Sequence, residues 1–238
     1  MDVKLIDVMG DDLRVANAAR VSFDKESDWE WDSRESGYGG ERVILSEKDQ
    51  KLINYLAKHN HWTPFSHVQI TMREKVPIFV ARQRFKHMVG FTYNEVSRRY
   101  VDSPPEFFYP DAWRGAPEGN KKQGSSEKEI KFLTGFLWYG GHEAIKSSYS
   151  VHLNNCMELY TVMIENGVAP EQARMVLPQS MYTEYYVTGS LAAWARAYKL
   201  RIDDHAQKEI RDLAVMWDTE ISKLDQLKHS WRALTNGS

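Results

Sequence analysis

The sequence predicts an α+β fold: a single domain with a central, mainly antiparallel sheet and flanking helices. Three observations lead there. Residues 67–76 and 181–188 have the make-up of strands, the first alternating apolar and polar side chains and the second rich in Tyr, Thr and Val. Beyond about residue 127 the chain otherwise reads as mostly helical, with apolar residues at helical spacing. The 238 residues, 42% hydrophobic and 12% aromatic, suffice for one core, and no internal repeat or linker divides the chain.

Taken in order, Val3 to Val8 alternates loosely as a short strand, and Gly10-Asp11-Asp12 breaks it. Leu13 to Phe23 reads as a small helix or turn. Residues 27–42 are acidic, rich in Trp (Trp29, Trp31) and punctuated by Gly37, Gly39 and Gly40, which predicts a surface loop. Ser46-Glu47-Lys48-Asp49 is a capping-box pattern, in which a serine hydroxyl satisfies a free N–H of the first helical turn. Leu52, Ile53 and Leu56 follow at helical spacing, and Asn60 stops the helix.

After the 67–76 strand, Pro77 suits the first turn of a helix from about Ile78 to Met88, ending near Gly90. Tyr93 to Val101 reads as extended, closed by Ser103-Pro104-Pro105. Residues 106–127 are rich in Pro, Gly and Lys and read as a long surface excursion. Cys156, Leu159, Tyr160 and Met163 recur at i, i+3, i+4 and i+7 and predict one apolar helix face. Gly167 closes that helix, Pro170 opens the next and Pro178 stops it. Leu191 to Leu200 and His205 to about Leu224 are again helical.

Several functions are excluded or disfavoured by composition. The balance of 31 Lys+Arg against 33 Asp+Glu, a formal charge of -2, argues against coating nucleic acid through net charge. No run approaches the roughly 18 apolar residues of a membrane helix. Met1 to Leu5 lacks the apolar core of a signal peptide, so a cytoplasmic location is expected, or a host cytoplasm for a viral chain. A lone cysteine, Cys156, rules out an internal disulfide and a cysteine zinc cluster; its place on an apolar face predicts a buried, inert thiol.

The densest chemical signal runs from Arg82 to Tyr100. Arg82, Arg84, Lys86, Arg98 and Arg99 stand there against the single carboxylate Glu95. Such a cluster either solvates a surface or binds an anion, and arginine forks with serine hydroxyls match phosphate geometry. Neither a P-loop nor a dinucleotide fingerprint is present, so any phosphate is held by side chains. His59, His61 and His67 have no acidic or cysteine partner nearby; they suit orienting a planar ligand or capping a helix, and no metal is expected. Ser97 lies outside any Gly-x-Ser-x-Gly elbow and has no evident base. Arg174 and Arg201 fall near helix ends, where a guanidinium either complements the dipole or projects into a cleft.

The runs Thr63-Pro-Phe-Ser-His67, Pro77-Ile-Phe-Val-Ala-Arg-Gln83 and Asn94-Glu-Val-Ser-Arg-Arg-Tyr100 resemble the flavin-dependent thymidylate synthases. So do Asp7-Val-Met-Gly10, Ala19-Arg-Val-Ser-Phe23, Ala173-Arg-Met-Val-Leu-Pro178 and Leu200-Arg-Ile-Asp-Asp-His-Ala-Gln-Lys-Glu-Ile210, all in family order over most of the chain. One departure lies in the signature itself. Lys86-His87-Met88 stand where the family has Arg-His-Arg, and the spacer to Ser97 is one residue longer.

The resemblance implies conversion of dUMP to dTMP, with 5,10-methylenetetrahydrofolate as carbon donor, NADPH as reductant and FAD as hydride carrier. It also implies one catalytic domain in a homotetramer with shared active sites, and no nucleic-acid or membrane partner. Thr63, Lys86, His87, Met88, Glu95, Ser190, Ala192 and Arg196 would contact the flavin. Gln83, Arg84, Lys86, Glu95, Ser97, Arg98, Arg99, Arg174 and Arg201 would surround dUMP. Arg201 would polarise the uracil ring, with Ser97 positioning the nucleotide, so no cysteine nucleophile is needed. The alternatives are a related flavoprotein that has lost synthase activity, or a single-stranded nucleic-acid binder using Phe85, Phe91 and Tyr93 as stacking rings.

Overall fold

The computed structural model describes residues 1–31, 43–101, 103–117, 119, 124–134 and 142–236. Among them, β1 (Asp2–Met9), β4 (Gln69–Pro77), β8 (Tyr182–Ser190) and β5 (Phe91–Glu95) form an antiparallel sheet in the order β1-β4-β8-β5. Short ladders join β2 (Glu30–Trp31) to β3 (Val43–Ile44) and β6 (Phe132–Thr134) to β7 (His142–Ala144). The 27–42 stretch therefore contributes a strand at its start, and 32–42 lie outside the described residues. The excursion over 106–127 carries isolated bridges only, Phe107 to Met181 and Arg114 to Glu129, among its described residues.

Alternation aims one face of the sheet inward. Ile70, Met72, Glu74 and Val76 of β4, with Tyr185 and Val187 of β8, are buried, while Arg73 and Tyr186 are exposed. Helices α1 (Asp12–Arg20), α2 (Glu47–Lys58), α6 (Leu191–Arg201), α7 (Lys208–Ile221) and α8 (Lys228–Asn236) contribute to the core that covers this face. The capping box at α2 is real: the Ser46 hydroxyl accepts from the Asp49 N–H at 3.1 Å and donates to its carboxylate at 2.7 Å. Asn60 ends that region with a positive φ of 55°.

Three sequence expectations are corrected. Helix α3 (Ile78–Arg84) stops four residues before Met88, because Arg84 turns into the core and the Tyr93 hydroxyl captures the His87 carbonyl at 2.7 Å. The extended run ends at Glu95, where the Ser97 hydroxyl accepts from the Arg99 N–H at 3.3 Å and folds the chain into a turn. The third concerns α4 (Ile145–Glu165), which buries only Leu153 among its residues; Leu159 is 49% exposed and Cys156 is half-buried. Helical spacing identified a face there, but among the described residues little covers it. Further along, α5 (Pro170–Ala173) is a single turn that passes into a 3₁₀ turn over Arg174–Val176.

An oppositely charged pair lies fully buried in the core. Arg84 and Glu74 are both 0% exposed, with Nε 3.3 Å from each carboxylate oxygen. The Arg84 guanidinium stands 4.4, 5.1, 4.8 and 4.6 Å from the ring centres of Phe91, Tyr93, Trp194 and Trp217. Tyr185, opposite Glu74 in the β4–β8 register, donates to its carboxylate at 2.6 Å. Either Glu74→Gln or Arg84→Met leaves the other group without its ionic partner. Each should lower unfolding free energy by about 3–5 kcal/mol in urea denaturation, and the double replacement by less than the sum. Strict additivity would contradict the pairing.

Candidate active site

Arg201 ends α6, and two hydrogen bonds tie it to the segment after α3. Its Nε donates to His87 Nε2 at 2.8 Å and its Nη2 to the Gln83 carbonyl at 3.3 Å. Accepting through Nε2 puts the single imidazole proton of His87 on Nδ1. Burial first, then the guanidinium groups of Arg201, Arg84 and Arg196, pushes this imidazole down to about 4, so it is neutral at pH 7. Burial, reinforced by Arg84, also moves Arg201 below its ordinary value. Among the described residues no carboxylate forms an ion pair with Arg201, so its charge is not locally neutralised.

Gly90 lets this segment approach α6. It has φ +81°, and a Cβ would lie 2.8 Å from that of Ala193. Gly189 is needed because the Phe91 ring lies over it, where a Cβ would come within 2.3 Å. The Tyr93 hydroxyl receives a hydrogen bond from Arg84 Nη1 at 2.6 Å, and burial raises its pKa to about 12. It thus stays protonated and able to donate to the His87 carbonyl.

The expected site residues divide among three clefts. Gln83 and Arg201 line one of about 520 Å³, with Asp203, His205 and Gln207. Glu95, Ser97, Arg98 and Arg174 line a second of about 780 Å³, where the Thr183 hydroxyl donates to Glu95 at 2.6 Å. Ser190, Ala192 and Arg196 line a third of about 570 Å³, with Trp62. Arg99 packs over the Tyr100 ring, and its Nε reaches Ser97 Oγ at 3.4 Å. Thr63, Lys86 and Met88 are exposed and line none of these clefts; Met88 is 73% exposed. Arg84, expected beside the substrate, is corrected: its guanidinium is sealed between Glu74 and four aromatic rings. Cys156 is corrected too, being half-buried on α4 with its sulfur 3.7 Å from His152 Nε2.

Sequence reasoning missed Glu74 and Tyr93. The period-two pattern already put Glu74 on the same strand face as Ile70, Met72 and Val76, a carboxylate in an apolar register. Tyr93 stands in the sequence as a strand residue or a stacking ring, and its hydroxyl's part in closing the turn emerges only from the fold. Gln207, bonded to Gln83, and Glu209, bonded to Gln207, lie in the matching block Leu200–Ile210, but nothing in the sequence singles out either one.

The sequence profile of the family described as "Thymidylate synthase complementing protein" matches residues 4–225. A flavin-dependent thymidylate synthase of Thermosipho melanesiensis is 35% identical over 96% of this chain and 87% of its own. One of Thermosipho africanus is 38% identical over 90% and 82%. The chain belongs to the flavin-dependent thymidylate synthase family. The fold agrees: a crystal structure of the UMP/dUMP methylase PolB of Streptomyces cacaoi, bound with 5-Br dUMP, superposes with a TM-score of 0.72. It shares 28% identity and covers 99% of this chain and 94% of that one.

Membership in a flavin-dependent synthase family calls for a flavin, and the third cleft has the chemistry to hold part of one. It opens at the N-terminus of α6, whose free amide groups favour an anion, although the Ser190 hydroxyl already accepts from the Ala193 N–H at 3.2 Å. Arg196 supplies a positive charge, Trp62 an exposed ring, and among the described residues no carboxylate lines the cleft. In this synthase His87 has a ligand-free pKa of about 4 when folded and about 6.5 when unfolded. The unfolded chain therefore takes up more protons between those values, so stability falls as pH drops through that window. Arg201→Ala removes one of the causes. The NMR titration midpoint of His87 should rise toward 6.5 in that variant, and an unmoved midpoint would show that Arg201 does not act on the imidazole.

Proposed function

We propose that this chain converts dUMP to dTMP, taking one carbon from 5,10-methylenetetrahydrofolate, with NADPH as reductant and FAD as the resident cofactor. The observation that carries the reading is Arg201: a guanidinium at a cleft edge, held by a neutral imidazole and without an ion-pair partner among the described residues. Uracil C5 must become nucleophilic before it accepts a one-carbon unit. Arg201 promotes this by stabilising the negative charge that develops across N3 and O4. The flavin, when bound, supplies the hydride that completes the methyl group. A cysteine nucleophile has no place in this scheme, and Cys156 lines none of the three clefts.

The phosphate of dUMP is held by the Ser97 hydroxyl with Arg99 and Arg174, through charge-assisted hydrogen bonds, and Arg98 lies beside the nucleotide. Gln83, Lys86 and Glu95 complete the nucleotide's surroundings. Thr63, Lys86, His87, Met88, Glu95, Ser190, Ala192 and Arg196 face the flavin, with Met88 contributing contact but no charge. Ala192 contributes packing and its backbone.

The nucleotide residues of one chain line two separate clefts, which supports a homotetramer whose sites are shared between subunits. The exposed apolar residues Val151, Leu159 and Val162, on one side of α4, offer a surface for that assembly. The reading includes a single catalytic domain over 1–238 working in the cytoplasm. Among the described residues no helix is long and apolar enough to cross a membrane.

Tritium release from C5-labelled dUMP, measured with FAD, NADPH and methylenetetrahydrofolate present, tests the reaction. Release should need the complete mixture and yield dTMP. Arg201→Ala should lose roughly 10²–10³-fold in turnover while still binding flavin, as for loss of one charge-stabilising donor. Cys156→Ala should remain active, and loss of all turnover in that folded variant would overturn the cysteine-free scheme. Leu159→Glu should shift the sedimentation profile toward smaller species and lower turnover; an unchanged profile would remove α4 from the assembly.

A further inference from the structure

A second chain of hydrogen bonds reaches Gln83 from α7 and the 106–127 excursion. Arg114, from the 106–127 excursion, donates through Nη2 to Glu209 Oε1 at 2.7 Å, in the first turn of α7. Gln207 Nε2 donates to the other oxygen of Glu209 at 2.8 Å. Gln83 Nε2 in turn donates to Gln207 Oε1 at 2.6 Å. Gln83, Gln207 and Arg201 line the same cleft.

The order of donors in this chain is imposed from one end. An ionised carboxylate only accepts, so Gln207 must present its amino group to Glu209. Its carbonyl oxygen is then turned to Gln83, which must answer with its own amino group. That leaves Gln83 with Oε1 and one N–H in an orientation it cannot exchange without breaking two bonds. Arg114 and Gln207 keep Glu209 below its ordinary pKa despite burial, so the carboxylate is ionised at neutral pH.

An amide held one way distinguishes pyrimidines. Uracil offers a donor at N3–H beside an acceptor at O4; cytosine offers an acceptor at N3 beside a donor at N4. A freely flipping amide satisfies either edge, whereas a locked one satisfies one of them. We propose that the Arg114–Glu209–Gln207–Gln83 chain is a specificity device, locking the Gln83 amide so that the cleft selects uracil over cytosine nucleotides. It rests on the reading of this cleft as part of the dUMP site. Glu209 and Gln207 are positioning residues, and the excursion earns a role through Arg114 as the clamp on Glu209.

The test compares calorimetric binding of dUMP and dCMP to the full-length, flavin-loaded wild type, Glu209→Gln and Gln207→Ala. Both variants should bind, and the preference for dUMP over dCMP should fall about tenfold, equivalent to about 1.4 kcal/mol. The Gln83 side-chain amide resonances, recorded without nucleotide, should shift in both variants. An unchanged preference would overturn the proposal. So would equal weakening toward both nucleotides, which marks a bracing role alone, or unmoved Gln83 resonances. Wild-type protein that binds neither nucleotide, with the Gln83 resonances still responding to Glu209→Gln, would sink the substrate reading and the selectivity built on it while leaving the hydrogen-bond chain in place.

Discussion

Arg84 and Glu74 sit beneath the site with no access to water, and the cost of removing two charges from solvent is met only by close partners on every side. Four aromatic rings surround the guanidinium, the Tyr185 hydroxyl satisfies a carboxylate oxygen, and Tyr93 accepts the outermost N–H. These contacts link β4, α3, β5, β8, α6 and α7 at one place. Arg84 Nη2 has no hydrogen-bond partner, so the rings carry that part of its charge.

The electrostatics above follow from that arrangement. Tyr93, held by Arg84, pins the His87 carbonyl and so the turn in which the imidazole sits. Arg84, Arg196 and Arg201 make a region of like charge in which a protonated histidine is unfavourable. A neutral His87 can then accept a hydrogen bond from Arg201 and orient it without cancelling its charge. A carboxylate there would have oriented the guanidinium equally well but neutralised it.

One chain supplies the parts of the site in separate clefts, and the same chain exposes an apolar stripe on α4. The homotetramer proposed above accounts for both features, closing the clefts and covering the stripe. Lys86 and Met88, where the family signature has arginines, are exposed in the single chain. In the proposed assembly their chemistry is set by what packs against them, and less by their own backbone.

Local chemistry made much of this molecule legible in the sequence. Alternation from Val68 to Arg73 marked a central strand, the Ser46 capping box marked the start of α2, and Gly167 and Pro170 marked a helix boundary, because each acts over a few residues. The matching blocks from Asp7 to Ile210 established the family, since several ordered motifs constrain more than any one alone. Burial was decided by the tertiary structure. Arg84 belongs to a charged cluster that suits either a solvated surface or an anion site, yet the strand-to-helix corner brings it onto Glu74, ten residues earlier, and removes it from the surface. Helical spacing placed Cys156 and Leu159 on an apolar face, but whether a face is covered depends on elements distant in sequence or on another chain. Sequence therefore determined the elements, the family and the chemical inventory. The tertiary structure alone decided which charges reach a ligand and which hold the fold, because burial is a property of packing between elements and has no local signature.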